Sequence, residues 1–565
     1  MAFGLFRRLF QREPTRQELY LQLQRGLNIE RDYQEWIEKW ERYGPAAGLS
    51  RPPLPLMLVL IGAPTEADKA HWGEAASRAG IQQVTWLVEA VDARRMLESP
   101  ADVSGRNFEY AAFFHARDRW SDLASADLAD AMSTGARVIY GDEDQIDAGG
   151  RRYAPWFKPD FGIDLFISQN GFGRSVFFHR AAFGLATLPD DATDLDSLVY
   201  AAALAAVAVG AEPLHCPGIL VHVAGDPAQT PKARALYLSG TNRLGAVGNL
   251  IDRHASLKGA IVEPSGSQDF LRLRHPLPEP SPLVSIVIPT RDRRDLLEAC
   301  IKSLDIVTNY PSKEIIVVDN DSQEQATKDY FASLARRPDV RVVPAPGPFN
   351  YPRLINLGAA DARGQILVTL NNDIEAIEAD WLTEMVAQAS RPGIGVVGCL
   401  LLYPDRSVQH AGVIIGLSGV AGHMYADAAP DDPGYAGRIV VTQDLSAVTG
   451  ACHVMRKSTF DELGGLDEGH LAVAYNDIDF CLRARAAGLR VIYTPHARLL
   501  HRHSASRGSD IRPERLTGFA WEREYMRGRW SQLIFDDPFF NPNLSLSGKR
   551  GRLATAPRPR IFKKS

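Results

Sequence analysis

Residues 283–322 read LVSIVIPTRDRRDLLEACIKSLDIVTNYPSKEIIVVDNDS. Two continuous apolar runs, VSIVIPT from Val284 and EIIVVDND from Glu314, each end in a cluster of polar residues. Runs of this length bounded by turn-forming residues predict buried strands. Towards the C-terminus the rhythm continues through VRVVPAP, QILVTLNND, IGVVGCLLL, GACHVMRK and VIYTPHARLLH. Strands that alternate with helices imply an α/β fold whose mostly parallel sheet is covered on both faces.

Towards the N-terminus a stiff proline-rich segment, HPLPEPSPL (275–283), marks a boundary. Before it the same rhythm runs through LMLVLIGA, QVTWLVEA, YAAFFHA, ARVIYGDED and SVFFHRAAF, with helix-like stretches such as SDLASADLADAMSTG between. Two halves of similar size and rhythm suggest a diverged tandem repeat. The reading divides the chain into a helical segment (1–50), a first α/β domain (51–275), a second (276–510) and a C-terminal helix with a basic tail (511–565). Leu19, Leu21, Leu23, Leu27, Tyr33, Trp36, Ile37 and Trp40 recur at mostly helical spacing, which predicts one helix over 14–44.

At 565 residues, with 45% apolar and 23% charged residues, the chain is an ordinary globular protein of more than one domain. A formal charge of -5 argues against nucleic acid as the main partner. The five cysteines are scattered, odd in number and without a CxxC pair, which fits neither a disulfide framework nor a structural zinc site and points to a reducing cytosol. No apolar run reaches the roughly 20 residues that cross a bilayer. The opening MAFGLFRRLFQR reads either as a short amphipathic element on the inner face of the plasma membrane, through residues 1–12, or as a frayed basic terminus.

In open α/β sheets ligands bind beyond the carboxyl ends of the strands. There the second half places Pro289-Thr290-Arg291-Asp292, Asp319-Asn320-Asp321-Ser322 and Asn371-Asn372-Asp373-Ile374-Glu375. A carboxylate at such an exit can bind a ribose or base edge, but Asp319 and Ser322 can equally cap the next helix. One carboxylate flanked by amides suits Mg²⁺, which takes one or two protein carboxylates plus phosphate oxygens, although Asn and Asp favour turns in any case. Gly450 and Ala451 either admit a ligand close to the backbone or serve packing. Asn476, Asp477 and Asp479 open a helix; one acid is expected as a cap, and the other can act as a general base. His496, His501 and His503 surround a strand end, where neutral imidazole can ligate a metal.

The order of VSIVIPTRD, VVDNDS, LNNDIE, YNDIDFCLRARAAG and LLHRHSAS across Pro282–Gly508 resembles the GT-A fold of family 2 glycosyltransferases. The asparagines at 371 and 476, and the tail DDPFFNPNLS, look like the branch that builds bacterial surface polysaccharides, including rhamnosyltransferase-like members. The resemblance implies an inverting, metal-dependent transfer of a sugar from a nucleoside-diphosphate donor to a hydroxyl of a cell-surface or lipid-linked glycan. It assigns Pro289, Thr290, Asp319, Asp321, Asn372, Gly450 and Ala451 to the donor, Asp373 and His501 to Mg²⁺ or Mn²⁺, and Asp477 to catalysis as the base. Asn371 stands where the family's first metal-binding acid is expected, and Asn476 where its glutamate is.

The run YGDEDQIDAGGRRYAPWFKPDFGIDLFISQNGFGRSVFFHR (140–180) resembles the same family. It puts the first half's metal position at His115-Ala116-Arg117, with Asp194, Asp196 and His222 at the later base and histidine positions. A cation at Arg117 would repel a metal, so this half is expected to be degenerate, structural or acceptor-binding, with Asp142-Glu143-Asp144 as its residual candidate site. A glycan-binding pseudo-enzyme is the alternative for the whole chain. A nucleotidyltransferase fits less well, because PTRDRRDLLEAC lacks a glycine-rich phosphate loop.

Overall fold

The structure, a computed structural model, describes residues 26–43 (except 30), 53–99 (except 82), 107–225 (except 122–123 and 186), 241–265, 270–502, 513–548 and 551–558. Among these no helix is long and apolar enough to cross a membrane. Residues 1–12, the candidate membrane contact, lie outside them.

The eight-stranded first sheet is built from β1 (Leu56–Ile61), β2 (Gln83–Leu87), β3 (Tyr110–His115), β4 (Arg119–Trp120), β5 (Val138–Ile146), β6 (Arg152–Trp156), β7 (Val176–His179) and β8 (Leu214–Ala224). Its order is β2-β1-β3-β7-β5-β8-β4, with β6 beside β5. The ten-stranded second sheet holds β9 (Val284–Thr290), β10 (Lys313–Asp319), β11 (Val340–Pro344), β12 (Ile366–Leu370), β13 (Ile374–Ala376), β14 (Ile394–Leu402), β15 (Val408–His410), β16 (Gln443–Leu445), β17 (Cys452–Arg456) and β18 (Arg490–His501). Its order is β11-β10-β9-β12-β17-β14-β18-β13, with β15 beside β14 and β16 beside β18.

From β1 to β8 and from β9 to β18, each pairing of the first sheet recurs in the second with the same direction. β1 pairs in parallel with β2 and β3, as β9 does with β10 and β12. β7 then enters antiparallel between β3 and β5, as β17 does between β12 and β14. β5–β8 and β14–β18 are parallel, and β4–β8 and β13–β18 antiparallel. The expected tandem α/β architecture is present. Both sheets are mixed: parallel pairs lie on either side of one inserted antiparallel strand, and further antiparallel strands stand at the β4 and β13 edges and beside β5, β14 and β18.

Alternating burial fixes both sheets between apolar layers. Met57, Val59 and Ile61 pack on one side of the first sheet, and Leu56, Leu58 and Leu60 on the other. Val284, Ile286 and Ile288 face one side of the second sheet, and Val287 the other.

Of the helix expected over 14–44, residues 14–25 lie outside the described part. Among the described residues Gly26–Leu27 form a strand antiparallel to Leu553–Ala554, and α1 (Tyr33–Tyr43) is helical. Between them Asn28 N donates to the Asp32 carboxylate and Arg31 N to Asn28 Oδ1, at 2.8 Å each. Such side-chain-to-backbone bonds compete with helix propagation.

The tail DDPFFNPNLS fastens the two sheets together. Asp537 accepts from Ile415 N (2.8 Å) and Ser446 Oγ (2.6 Å) of the second half. Asn541 Nδ2 donates to Asp142 (2.8 Å) and to Lys158 O (2.8 Å) of the first.

Candidate active site

Thr290, Asp319, Asn372 and Asp373 stand at or just past the carboxyl ends of the parallel strands β9, β10 and β12, and Gly450 and Ala451 lead into β17. Their backbones and side chains interlock. Asn371 N donates to Ala451 O (3.0 Å), and the Tyr351 hydroxyl donates to Gly450 O (3.1 Å). Asn372 Nδ2 donates to Thr290 Oγ1 (2.9 Å). Pro289 is buried within β9, where its missing N–H leaves one gap in the ladder. Asp319 accepts from Ser322 N (2.9 Å) in a turn ahead of the next helix, Gln325–Leu334, which neither residue caps, while Asp321 is exposed at φ +62°.

Asp373 and His501 meet because β13 runs antiparallel to β18, with Ile374 opposite His501. Both are buried, and Asp373 Oδ1 lies 3.3 Å from His501 Nε2. One carboxylate and one imidazole so placed fit a divalent ion whose other ligands come from substrate oxygens and water. Among the described residues no group of three or more His, Cys, Asp and Glu side chains is arranged to hold a metal.

Behind this pair lie His410 and His423, which sequence reasoning missed. Their Nδ1 atoms are 2.9 Å apart. Burial, then the neighbouring imidazoles of His423, His453 and His501, holds His410 well below the usual histidine range, so it is neutral. Tyr351 was also missed; its only sequence signal is a helix start at Asn350, whose side chain caps α2 (Tyr351–Asp361).

The two acids of the helix α3 (Asn476–Ala486) separate cleanly. Asp479 is fully buried and tied to Arg483 (2.8 Å) and to Trp530 Nε1 (3.0 Å), a structural role. Asp477 is half-buried, its Oδ2 accepting from Gly450 N (2.8 Å) and its Oδ1 from Ile478 N (2.8 Å). A Cβ on Gly450 would stand 2.8 Å from the Asp477 Cβ, so this glycine makes room for Asp477 itself.

The segment that delivers Asp477 is held under strain. Tyr475 has φ +59°, unusual for a bulky residue. The buried Glu522 carboxylate, on α4 (Pro513–Arg529), accepts from Val473 N and Ala474 N at 2.8 Å each. Glu522→Ala is expected to leave the fold intact while amide exchange at Val473 and Ala474 accelerates, read by hydrogen-exchange mass spectrometry; unchanged exchange there would refute the clamp.

His496 does not join the site. It is half-buried beside Glu384 and Arg272, and desolvation lowers it to about 4. His503 lies outside the described residues.

In the first half, Asp142-Glu143-Asp144 form a buried ion network instead of an open site. Asp142 meets His215 (3.0 Å) and Asn541, Glu143 meets Lys158 Nζ (3.0 Å), and Asp144 meets His222 (2.6 Å), Arg152 (2.6 Å) and Tyr33 (2.6 Å). Three adjacent carboxylates are tolerated there because each has its own donors.

The model of Glycosyl transferase family 2 matches residues 285–464. Protein y4gI of Sinorhizobium fredii is 40% identical over 73% of this chain and 45% of its own length. The O-antigen biosynthesis protein RfbC of Myxococcus xanthus is 35% identical over 84% of this chain and 36% of its own. The N-acetylglucosaminyl-diphospho-decaprenol L-rhamnosyltransferase of Mycobacterium tuberculosis is 28% identical over 38% of this chain and 74% of its own. The chain thus spans less than half the length of the first two of these relatives. Residues 285–464, which run through most of the second sheet, are thus similar to glycosyl transferase family 2.

Proposed function

We propose that the second half is an inverting, metal-dependent glycosyltransferase. It moves a hexosyl or deoxyhexosyl group from a nucleoside-diphosphate sugar to a hydroxyl of a growing cell-surface glycan, such as an O-antigen, capsule or exopolysaccharide, free or lipid-linked. The observation that carries this reading is the convergence of Asp477, the Gly450–Ala451 backbone and the Asp373–His501 pair around the strand ends.

In this reading Thr290, Asp319 and Asp321, with Pro289 and Asn372, border the nucleoside, and the donor lies against Gly450 and Ala451. Asp477 takes the proton from the acceptor hydroxyl as that oxygen attacks the anomeric carbon in line with the departing diphosphate. Its two backbone donors fix the carboxylate in one orientation, so proton transfer needs little reorganisation. Asp373 and His501 would hold Mg²⁺ or Mn²⁺, which when bound neutralises charge on the leaving diphosphate. The reading places the enzyme in the cytoplasm, with residues 1–12 as its contact with the inner membrane face.

The test is a panel of nucleotide sugars incubated with the full chain, with Mn²⁺ and with EDTA, and scored for release of the nucleoside diphosphate. At least one donor should turn over, and EDTA or Asp373→Ala should lower the rate by about 10²-fold or more, as expected when several kcal/mol of leaving-group stabilisation is lost. No donor binding and no metal dependence across the panel would favour the glycan-binding pseudo-enzyme. Turnover indifferent to EDTA would remove the metal from the reading.

A further inference from the structure

The strand registers of the two sheets put three first-half residues on the positions of the proposed site. In the β3–β7 pair Tyr110 faces His179, and in the β12–β17 pair Ile366 faces Arg456. Counting back five residues from His179 and from Arg456 aligns Arg174 with Ala451, and Gly173 with Gly450. In the β4–β8 pair Arg119 faces His222, and in the β13–β18 pair Ile374 faces His501. Asp118 therefore aligns with Asp373. Asp196, second residue of the helix Leu195–Ala208, aligns with Asp477, second residue of α3.

These three residues are joined. Arg174 Nη1 lies 3.0 and 3.1 Å from the two oxygens of Asp118. Its Nε and Nη2 bind the two oxygens of Asp196, both at 2.8 Å. Asp118 is fully buried and also accepts from His115 N and Ala224 N. Arg117, which residue counting along the sequence puts at the metal position, is exposed. The stretch from Tyr110 to Arg119 is one residue longer than that from Ile366 to Ile374, and this shifts the carboxylate to Asp118.

We propose that the first half retains a second, closed glycosyltransferase-type site, in which the Arg174 guanidinium takes the place of the divalent cation. A planar fork that satisfies both carboxylates at once is a strong, geometrically fixed tie. It neutralises the counterparts of the metal-binding carboxylate and of the base at once, and its bulk stands where the second half has only Ala451. The chain would then have one working donor site. The inference rests on the roles proposed above for Asp373 and Asp477.

The test is uptake of Mn²⁺ alone, followed by the loss of the free-ion electron paramagnetic resonance signal in the full chain. Arg174→Ala should take up one Mn²⁺ per chain more than the wild type, and Arg174→Ala/Asp118→Asn should lose that ion again. Asp373→Asn should remove the wild type's own ion and spare the extra one. A folded Arg174→Ala protein with wild-type uptake overturns the proposal. Should Arg174→Ala unfold, Arg174→Gln keeps a shorter hydrogen-bonding side chain without the charge; loss of fold in both makes Arg174 a structural tie and also overturns it. An Asp373→Asn protein that still binds the wild type's ion instead refutes the second-half metal assignment.

Discussion

Asp477→Asn is expected to lower turnover by about 10²–10⁴-fold while leaving donor affinity unchanged, the cost of removing a positioned general base. The substitution preserves shape and removes the acceptor of the proton. It also has a local cost, because the two carboxylate oxygens now accept from Gly450 N and Ile478 N. An amide offers one oxygen, so one backbone donor loses its partner, at about 1–3 kcal/mol. Thermal unfolding of the variant separates this cost from the catalytic one. Asp479→Asn is the control: it loosens the Arg483 and Trp530 contacts and should lower the melting point more than the chemical step. Steady-state release of nucleoside diphosphate, with donor binding by thermal shift, reads both. Near-wild-type turnover in Asp477→Asn would sink the base assignment.

The α/β class and the tandem repeat are legible in the sequence, because buried strands register as apolar runs whatever their partners. Strand direction is not: GACHVMRK and SVFFHRAAF read like their parallel neighbours, and only the chain's return path turns β17 and β7 around. At the site, Asp373, His501 and Asp477 stand in strand-exit or helix-start positions that a sequence can flag. The choice between Asp477 and Asp479 is not legible, since both lie in one helical turn and Trp530, 51 residues on, decides between them. Asp142-Glu143-Asp144 look like a site for the same reason: their partners come from as far apart as Tyr33 and Asn541. Arg174 is hidden more thoroughly, because its meaning depends on strand register and a one-residue difference in strand length.

The second large effect concerns the joint between the halves. Arg391→Ala should destabilise the protein by about 3–5 kcal/mol, the range for removing one partner of a buried ion pair. Asp164 of the first half is 1% exposed and lies between Arg391 (2.9 and 3.1 Å) and Arg490 of the second. Without Arg391 the carboxylate keeps Arg490 but loses two charge-assisted bonds in a site closed to water. The same geometry fixes the pH dependence. Although desolvation is the largest influence and opposes it, the two arginines together hold Asp164 well below the usual carboxylate range. A depressed carboxylate contributes stability that is fully present above its unfolded value of about 3.9 and is lost as pH falls further. His275 adds to the acid side. Burial, then Arg391, lowers it to about 4, so its contribution declines from about pH 6.5, the unfolded value, downwards. The wild type should therefore lose melting temperature gradually below about pH 6.5 and steeply below about pH 4. Arg391→Ala should start lower and fall less steeply at the acid end, because its Asp164 is less depressed. Thermal unfolding from about pH 8 to about pH 3 measures both curves. A variant that melts with the wild type across that range would show that the Asp164–Arg391 contact does not hold the halves together.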